Sequence, residues 1–357
     1  MARKKLSPTN IAIFAGPAPA TGTHTTSNIK EVFGVQSFSF DLSETKENIF
    51  VFGKRAADLR EALDPAVASF NLSYLISNLD NEKSLGFVTD GTSGTFANLL
   101  NGSKDERNFF VMIASDGNDA VGSNPASTPC LGFGNATLAS YSVNAAVGSY
   151  PTATLAFEAI DAEYYADSDT ERLPAVNLTT GAIAAGTFTL PTASGNALSG
   201  RDPVLRPRDI SVNLSGLTGL FHDMGSACVQ SVDISVDFAR EKQQCLGLKY
   251  RKESVMADAI PVNLGIEFLA KDMVTGRMSE FTCGTGQYRA IISIARPSCN
   301  SVGANAVTFD LKGLSWESQS QDFTLGQQST VTINFQGTIG GANDVTRGLF
   351  TSGIVNN

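Results

Sequence analysis

Histidine and tryptophan are scarce in this chain, with two His and one Trp among 357 residues. His24 lies in a Thr-rich stretch and His222 precedes Asp-Met-Gly. Neither brings a nucleophile, a base and an orienting group together, so each reads as a surface or capping residue and no catalytic triad is expected. The five cysteines (Cys130, Cys228, Cys245, Cys283, Cys299) are odd in number and include no Cys-x-x-Cys pair. This argues against a zinc ribbon or disulfide framework and for buried free thiols in a reducing cytoplasm. No apolar run approaches the roughly 20 residues of a membrane helix. The stretch 10–16 is too short for the core of a secretory signal, and the basic residues before it read as an arm. The glycines form no phosphate loop or dinucleotide fingerprint. The acidic groups at 116–119 and 161–171 have no EF-hand spacing and read as solvated turns. Positive charge is also in short supply. With 26 Lys and Arg against 35 Asp and Glu, the net charge is −9, which argues against a protein whose main task is to grip phosphates. Arg3 to Lys5 and Lys249 to Lys252 are small groups on solvated faces. No catalytic residue, metal ligand or cofactor is assigned, and the chain is not expected to be an enzyme.

What the chain does have is 42% hydrophobic residues, 17% charged residues and many short alternating runs punctuated by Gly, Ser, Thr and Asn. That composition is globular, and the spacing predicts an all-β fold with minor helix. The clearest helical stretch is 95–100, stopped by Asn101-Gly102. Within this pattern VQSFSFDLSETKENIFVFG (35–53) has a counterpart in VQSVDISVDFAREKQQCLG (229–247). At a constant offset of 194, residues 35–75 lie over 229–269 without a gap. Phe38/Val232, Phe40/Ile234 and Leu42/Val236 recur at strand period with one face inward. Residues 138–157 lie over 316–335 at offset 178. Further matches place 8–13 over 207–212 and 109–114 over 290–295. A repeat of this size is a duplicated domain rather than a solenoid. The expected organisation is a first domain over 1–160, a linker or surface loop over 161–206 and a second domain over 207–357. Each domain is expected to be a β-sandwich or barrel with a long hairpin, its charged turn at 43–48 in one copy and 238–242 in the other. Residues 54–63 read as loop or marginal helix. Trp316 reads as core or interface, and the first copy has the longer middle segment, 78–135.

The repeated Val-Gln-Ser, the charged turn, Gly53 or Gly247, and the later strands at 67–76 or 262–270 resemble the tail tube proteins of long-tailed bacteriophages, in the form that fuses two tube domains. The resemblance spans most of both halves, leaving out the linker and about the last 15 residues. It implies a virion tail protein, made in the host cytoplasm, whose chains close into trimeric rings with pseudo-sixfold symmetry and stack into a hollow channel for DNA. Under this resemblance the polar alternates Ser37, Ser39, Asp41, Ser231, Asp233 and Ser235 are the channel-lining candidates. Their apolar neighbours Phe38, Phe40, Leu42, Val232, Ile234 and Val236 are the ring-interface candidates. The implied partners are further copies of the chain and terminator, tape measure, baseplate and sheath proteins, with DNA passing transiently and without sequence preference; no membrane is involved. Two other readings stand beside it: a trimeric baseplate hub, distal tail or adaptor protein that caps such a tube, and a carbohydrate- or receptor-binding β-sandwich module.

Overall fold

Strands form wherever apolar and polar residues alternate, because alternation lets one sheet face enter a core while the other stays wet. The computed structural model describes residues 10–19, 21–115, 117–166, 169–194, 203–215, 228–269, 287–297, 303–323 and 329–355. Its principal strands fall into two series of nine. The first is β1 (Ile11–Pro17), β2 (Val35–Ser43), β3 (Lys46–Ile49), β4 (Leu59–Ala62), β5 (Val67–Leu75), β6 (Glu106–Ile113), β7 (Cys130–Ala146), β8 (Thr152–Ala159) and β9 (Asp161–Tyr165). The second is β10 (Ile210–Ser215), β11 (Val229–Asp237), β12 (Arg240–Gln243), β13 (Glu253–Met256), β14 (Pro261–Leu269), β15 (Tyr288–Ala295), β16 (Asn305–Asp322), β17 (Thr330–Thr338) and β18 (Gly348–Gly353). Among the described residues the helical elements are α1 (Asp80–Ser84), α2 (Ala97–Leu100) and the short 3-10 turns Pro125–Ser127 and Pro207–Asp209, so the fold is all-β with minor helix. Among the described residues no helix is long and apolar enough to cross a membrane.

Within its own half, each strand of the first series pairs as its counterpart nine places later does. Phe70 faces Phe157 as Leu264 faces Phe335. Phe109 faces Phe133 as Ala290 faces Leu311. The irregularities coincide too. The β2–β5 ladder skips Gln36 and the β11–β14 ladder skips Gln230, while β7–β8 skips Ala139 and β16–β17 skips Glu317. The middle residue of Val-Gln-Ser is therefore a β-bulge. Its amide reaches back to a backbone carbonyl, Gly34 O from Gln36 (3.2 Å) and Cys228 O from Gln230 (3.5 Å).

The two series share one sheet. Four wall strands of the first run in the order β2-β5-β8-β7, and those of the second run β11-β14-β17-β16. They are joined where β7 pairs β11 antiparallel, from Ser231↔Ala146 to Asp237↔Ser140. One buried cluster runs under both halves, from Phe70, Leu155 and Tyr141 to Ile234, Leu264 and Phe335. β1 and the 109–113 part of β6 are apolar without alternation because they are buried on both faces. Their outer face carries a second cluster in which Phe14 and Phe110 meet Phe188, Leu173 and Tyr165. The stretch 161–206 thus supplies strands and core residues, with Thr187–Thr189 forming a short strand. Gly134 lets this layer close on β7, since a Cβ there would lie 1.4 Å from the Pro174 carbonyl oxygen.

Several expectations are corrected. β2 does not turn at 43–48 to pair with 49–53; it pairs with β5, and 44–66 leaves the sheet as a separate arm. Lys46–Ile49 and Leu59–Ala62 are the arm's strands, so 54–63 is neither helix nor plain loop, and the turn lies at Gly53 (φ 87°). The second arm, β12–β13, has the same ladder and turns at Gly247 (φ 86°). His24 is buried rather than on the surface, and burial lowers its pKa. Cys228 and Cys245 are exposed, while Cys130 is buried as expected. His222, Cys283, Cys299, Asp116 and residues 1–9 lie outside the described residues.

Candidate assembly surface

The eight wall strands present two unlike faces. Register places Ser37, Ser39 and Asp41 of β2 in rows with Ser69, Asn71 and Ser73 of β5. Across the join, Ser142 and Asn144 of β7 face Ser235 and Asp233 of β11, and the rows continue through Asn263 and Glu267 of β14. Ser37, Ser39, Asp41 and Asp233 are exposed, and Ser231 and Ser235 are half-buried by cross-strand neighbours. The face is knitted by short polar contacts: Asn144 Nδ2 donates to Asp233 Oδ2 (3.2 Å), Ser231 Oγ to Glu267 Oε2 (3.0 Å) and Gln336 Nε2 to Asn263 Oδ1 (3.1 Å). Asp41, Glu158, Asp233, Asp237 and Glu267 occupy its rows, and no position in the ladders that join these eight strands to one another is Lys or Arg. Glu158 alone meets cations, Lys242 at 2.8 Å and Arg251 at 3.7 Å, which reach it from the second arm.

The opposite face is apolar, and here the two halves differ. Val232, Ile234 and Val236 of β11 are 4%, 1% and 0% exposed. Their counterparts in β2 are Phe38, half-buried against Phe70 and Phe133 at ring distances of 5.9 and 6.0 Å, Phe40 at 52% and Leu42 at 59%. The cause lies beside the strand rather than in it. β11 has β7 on its outer side, and the following Phe238 packs edge-to-face on Phe96 at 4.9 Å. Among the described residues β2 has only β5 as a neighbour, and residues 315–322 of β16 have only β17. Among the described residues the eight-strand wall therefore ends in two open edges, β2 and the 315–322 end of β16, which are the counterparts of the β11 and β7 edges that meet inside the chain.

The inner join is also ionic. Arg240 at the root of the second arm grips Asp105 with both terminal nitrogens (2.9 and 2.6 Å) and donates from Nε to Leu138 O (3.1 Å). Glu106 beside it accepts from Asn135 Nδ2 at 2.7 Å, and burial raises its pKa. The corresponding position of the first arm is Lys46, which pairs only locally with Glu44 at 3.0 Å. A cleft of about 440 Å³ opens between the arm bases, lined by Ser43, Asp64, Lys242 and Arg251 among others. Both arms end in a bare apolar residue, Phe52 at 108% and Leu246 at 106% exposure. Among the described residues no cluster of His, Cys, Asp and Glu is arranged to hold a metal ion.

The alternation of β2 and β11 carries both sets of sequence-predicted residues. It does not carry the ionic join at Asp105 and Arg240, whose partners lie 135 positions apart; the Arg and Asp themselves were visible only as isolated charges.

No family model matches the chain, and no curated protein matches it. Among solved structures, a chain of the anti-feeding prophage baseplate, determined by cryo-EM with sixfold symmetry applied, is similar at 11% identity and a TM-score of 0.27. The match covers 40% of this chain and 91% of that one.

Proposed function

We propose that this protein is a virion structural subunit, a tail tube protein whose two related halves occupy successive positions in a ring. The observation that carries this reading is the unequal fate of two equivalent strands: β11 is covered by β7, whereas β2 leaves the same apolar positions bare. Open strand edges invite pairing and are normally blunted or covered. The edge that fits β2 is the one that already fits β11, and the free end of β16 is the counterpart of β7. Carrying the inner register over, Phe38, Phe40 and Leu42 of one chain lie opposite Phe323, Gln321 and Gln319 of the next. The contact is head-to-tail, and such contacts close into rings when the rotation permits.

Three chains of eight wall strands give 24 strands in a closed sheet. At about 4.8 Å between strands and a tilt near 40°, such a barrel measures roughly 48 Å between opposite backbones. Its polar face then lines the bore. Duplex DNA carries one negative charge per roughly 1.7 Å of its axis, so a lining whose strand rows hold acids, with Lys242 and Arg251 engaged by Glu158, lets it pass without adhering. Catalysis has no part in this role.

Negative-stain electron microscopy of the purified full-length chain tests the proposal. Stacked rings are the expected result. Isolated trimers would favour a hub that caps a tube, and a monomer at high concentration would overturn self-assembly altogether.

A further inference from the structure

The segment 79–104 follows β5, is held to the first half by the Asn81 side chain bonding to both backbone groups of Phe33 (2.8 Å each), and also hydrogen-bonds to the second half. Leu79 N donates to Ile354 O (3.0 Å), and Gly91 N and Thr95 N donate to Thr351 O and Leu349 O of β18 (both 2.9 Å). Thr351 Oγ1 returns a bond to Val88 O at 2.9 Å. The same segment wedges Phe87 and Phe96 against Tyr141 of β7, at ring distances of 5.3 and 5.9 Å, and Phe96 against Phe238. It is therefore a clasp across the join.

At its root, in α1, sits Glu82, with 0% exposure. Tyr74 of β5 donates its hydroxyl to Glu82 Oε1 at 2.8 Å. Glu82 Oε2 has no hydrogen-bond partner, and the equally buried hydroxyl of Tyr141 acts on the carboxyl at longer range without completing a bond of its own. The groups acting on Glu82 are Tyr74, Tyr141 and its neighbour Asp80, and the only ionic one among them is of like sign. Lys83 on the same helix is exposed and is not among the groups acting on Glu82. Arg107 of β6 is buried beside Gly86, just after α1, and donates its Nε to Leu85 O (3.2 Å). A carboxylate here would be a buried charge without a counterion, which is among the costliest groups a core can hold.

We propose that Glu82 is a protonation-controlled catch: as the neutral acid it seats the 79–104 clasp across the two halves, and its ionisation loosens the clasp from β18 and from Phe238. Burial pushes the pKa of Glu82 up to about 7, against about 4.3 for a free glutamic acid. A group raised in this way contributes its full stabilisation below the free value and loses it as pH rises through the folded value. The catch is thus shut in mild acid and eased at mildly alkaline pH.

Hydrogen exchange of the full chain, read by mass spectrometry at pH 5 and pH 8 and corrected for intrinsic exchange rates, tests this. Linkage between those two pKa values predicts that opening of peptides from 79–104 and 348–353 rises on the order of a hundredfold between the two pH values. Peptides of the β14–β17 ladder should stay unchanged. In Glu82→Gln the rise should vanish. In Tyr74→Phe, which removes a bond that favours the carboxylate, its midpoint should move to higher pH, a readout available even if Glu82→Gln does not fold. An equal response in every peptide, a response that survives Glu82→Gln, or an unmoved midpoint in Tyr74→Phe would overturn the proposal.

Discussion

Replacing Ile234 and Phe40 by alanine, one at a time, separates what holds the chain from what would hold chains together. The two positions are 194 apart, pair identically with their inner neighbours and differ in cover: 1% exposure for Ile234 and 52% for Phe40. Truncating a buried Ile costs about 2–5 kcal/mol. Truncating a fully buried Phe costs about 3–5 kcal/mol, but Phe40 is only half covered, so its loss within one chain should be about 2 kcal/mol or less. The remaining half would be buried by the neighbouring chain. At about 1.5–3 kcal/mol for burial of a whole side chain, this is about 1 kcal/mol per joint and about 3 kcal/mol for a ring with three joints. Ring formation should then weaken on the order of a hundredfold, at about 1.4 kcal/mol for each factor of ten. Urea unfolding at a dilution that keeps the chain unassembled measures the first effect, and sedimentation velocity across a concentration series measures the second. Ile234→Ala should unfold early, whereas Phe40→Ala should keep most of its midpoint and lose assembly. If Phe40→Ala were as destabilising as Ile234→Ala while assembly stayed intact, the reasoning from unequal cover would fail.

Arg240→Ala removes a buried guanidinium from Asp105 and should lower stability by about 3 kcal/mol in urea unfolding; adding Asp105→Asn should recover part of that loss, since no carboxylate is then left stranded. Gly134→Ala drives a methyl group into the Pro174 carbonyl and should cost more than about 3 kcal/mol or abolish soluble expression, checked by the thermal midpoint. Burial pushes the Cys130 thiol up to about 12. Under native conditions at pH 8 an alkylating reagent should therefore leave Cys130 unmodified while labelling the exposed Cys228 and Cys245, as read by peptide mass spectrometry.

The all-β character was legible because alternation of the kind seen in Val232, Ile234 and Val236 has few other solutions. The arms were not. Lys46–Ile49 and Leu59–Ala62 are exposed along their whole length, so no buried face imposes a period on their sequence, and their charged residues resemble a turn. The bulge behind Val-Gln-Ser was hidden for a different reason: it is a backbone event, visible only once both strands of the ladder are aligned. Sequence alternation marks Phe40 and Ile234 alike. Which of them is covered depends on the strand lying alongside, and that strand comes from a distant part of the chain. Glu82 sits in a short polar stretch, Asp80–Ser84, that reads as solvated surface, and its isolation from water is set by Tyr74, Tyr141 and the aromatic wedge around them.

Because β7 and β11 share seven consecutive residue pairs, the boundary between the halves is covalently optional. A protease cut in the stretch that links them would leave a single particle still sewn together by a main-chain seam, the Asp105–Arg240 grip and the strap over β18. The peptide connection sets stoichiometry and order, one of each half side by side, while the cohesion of the pair belongs to the sheet.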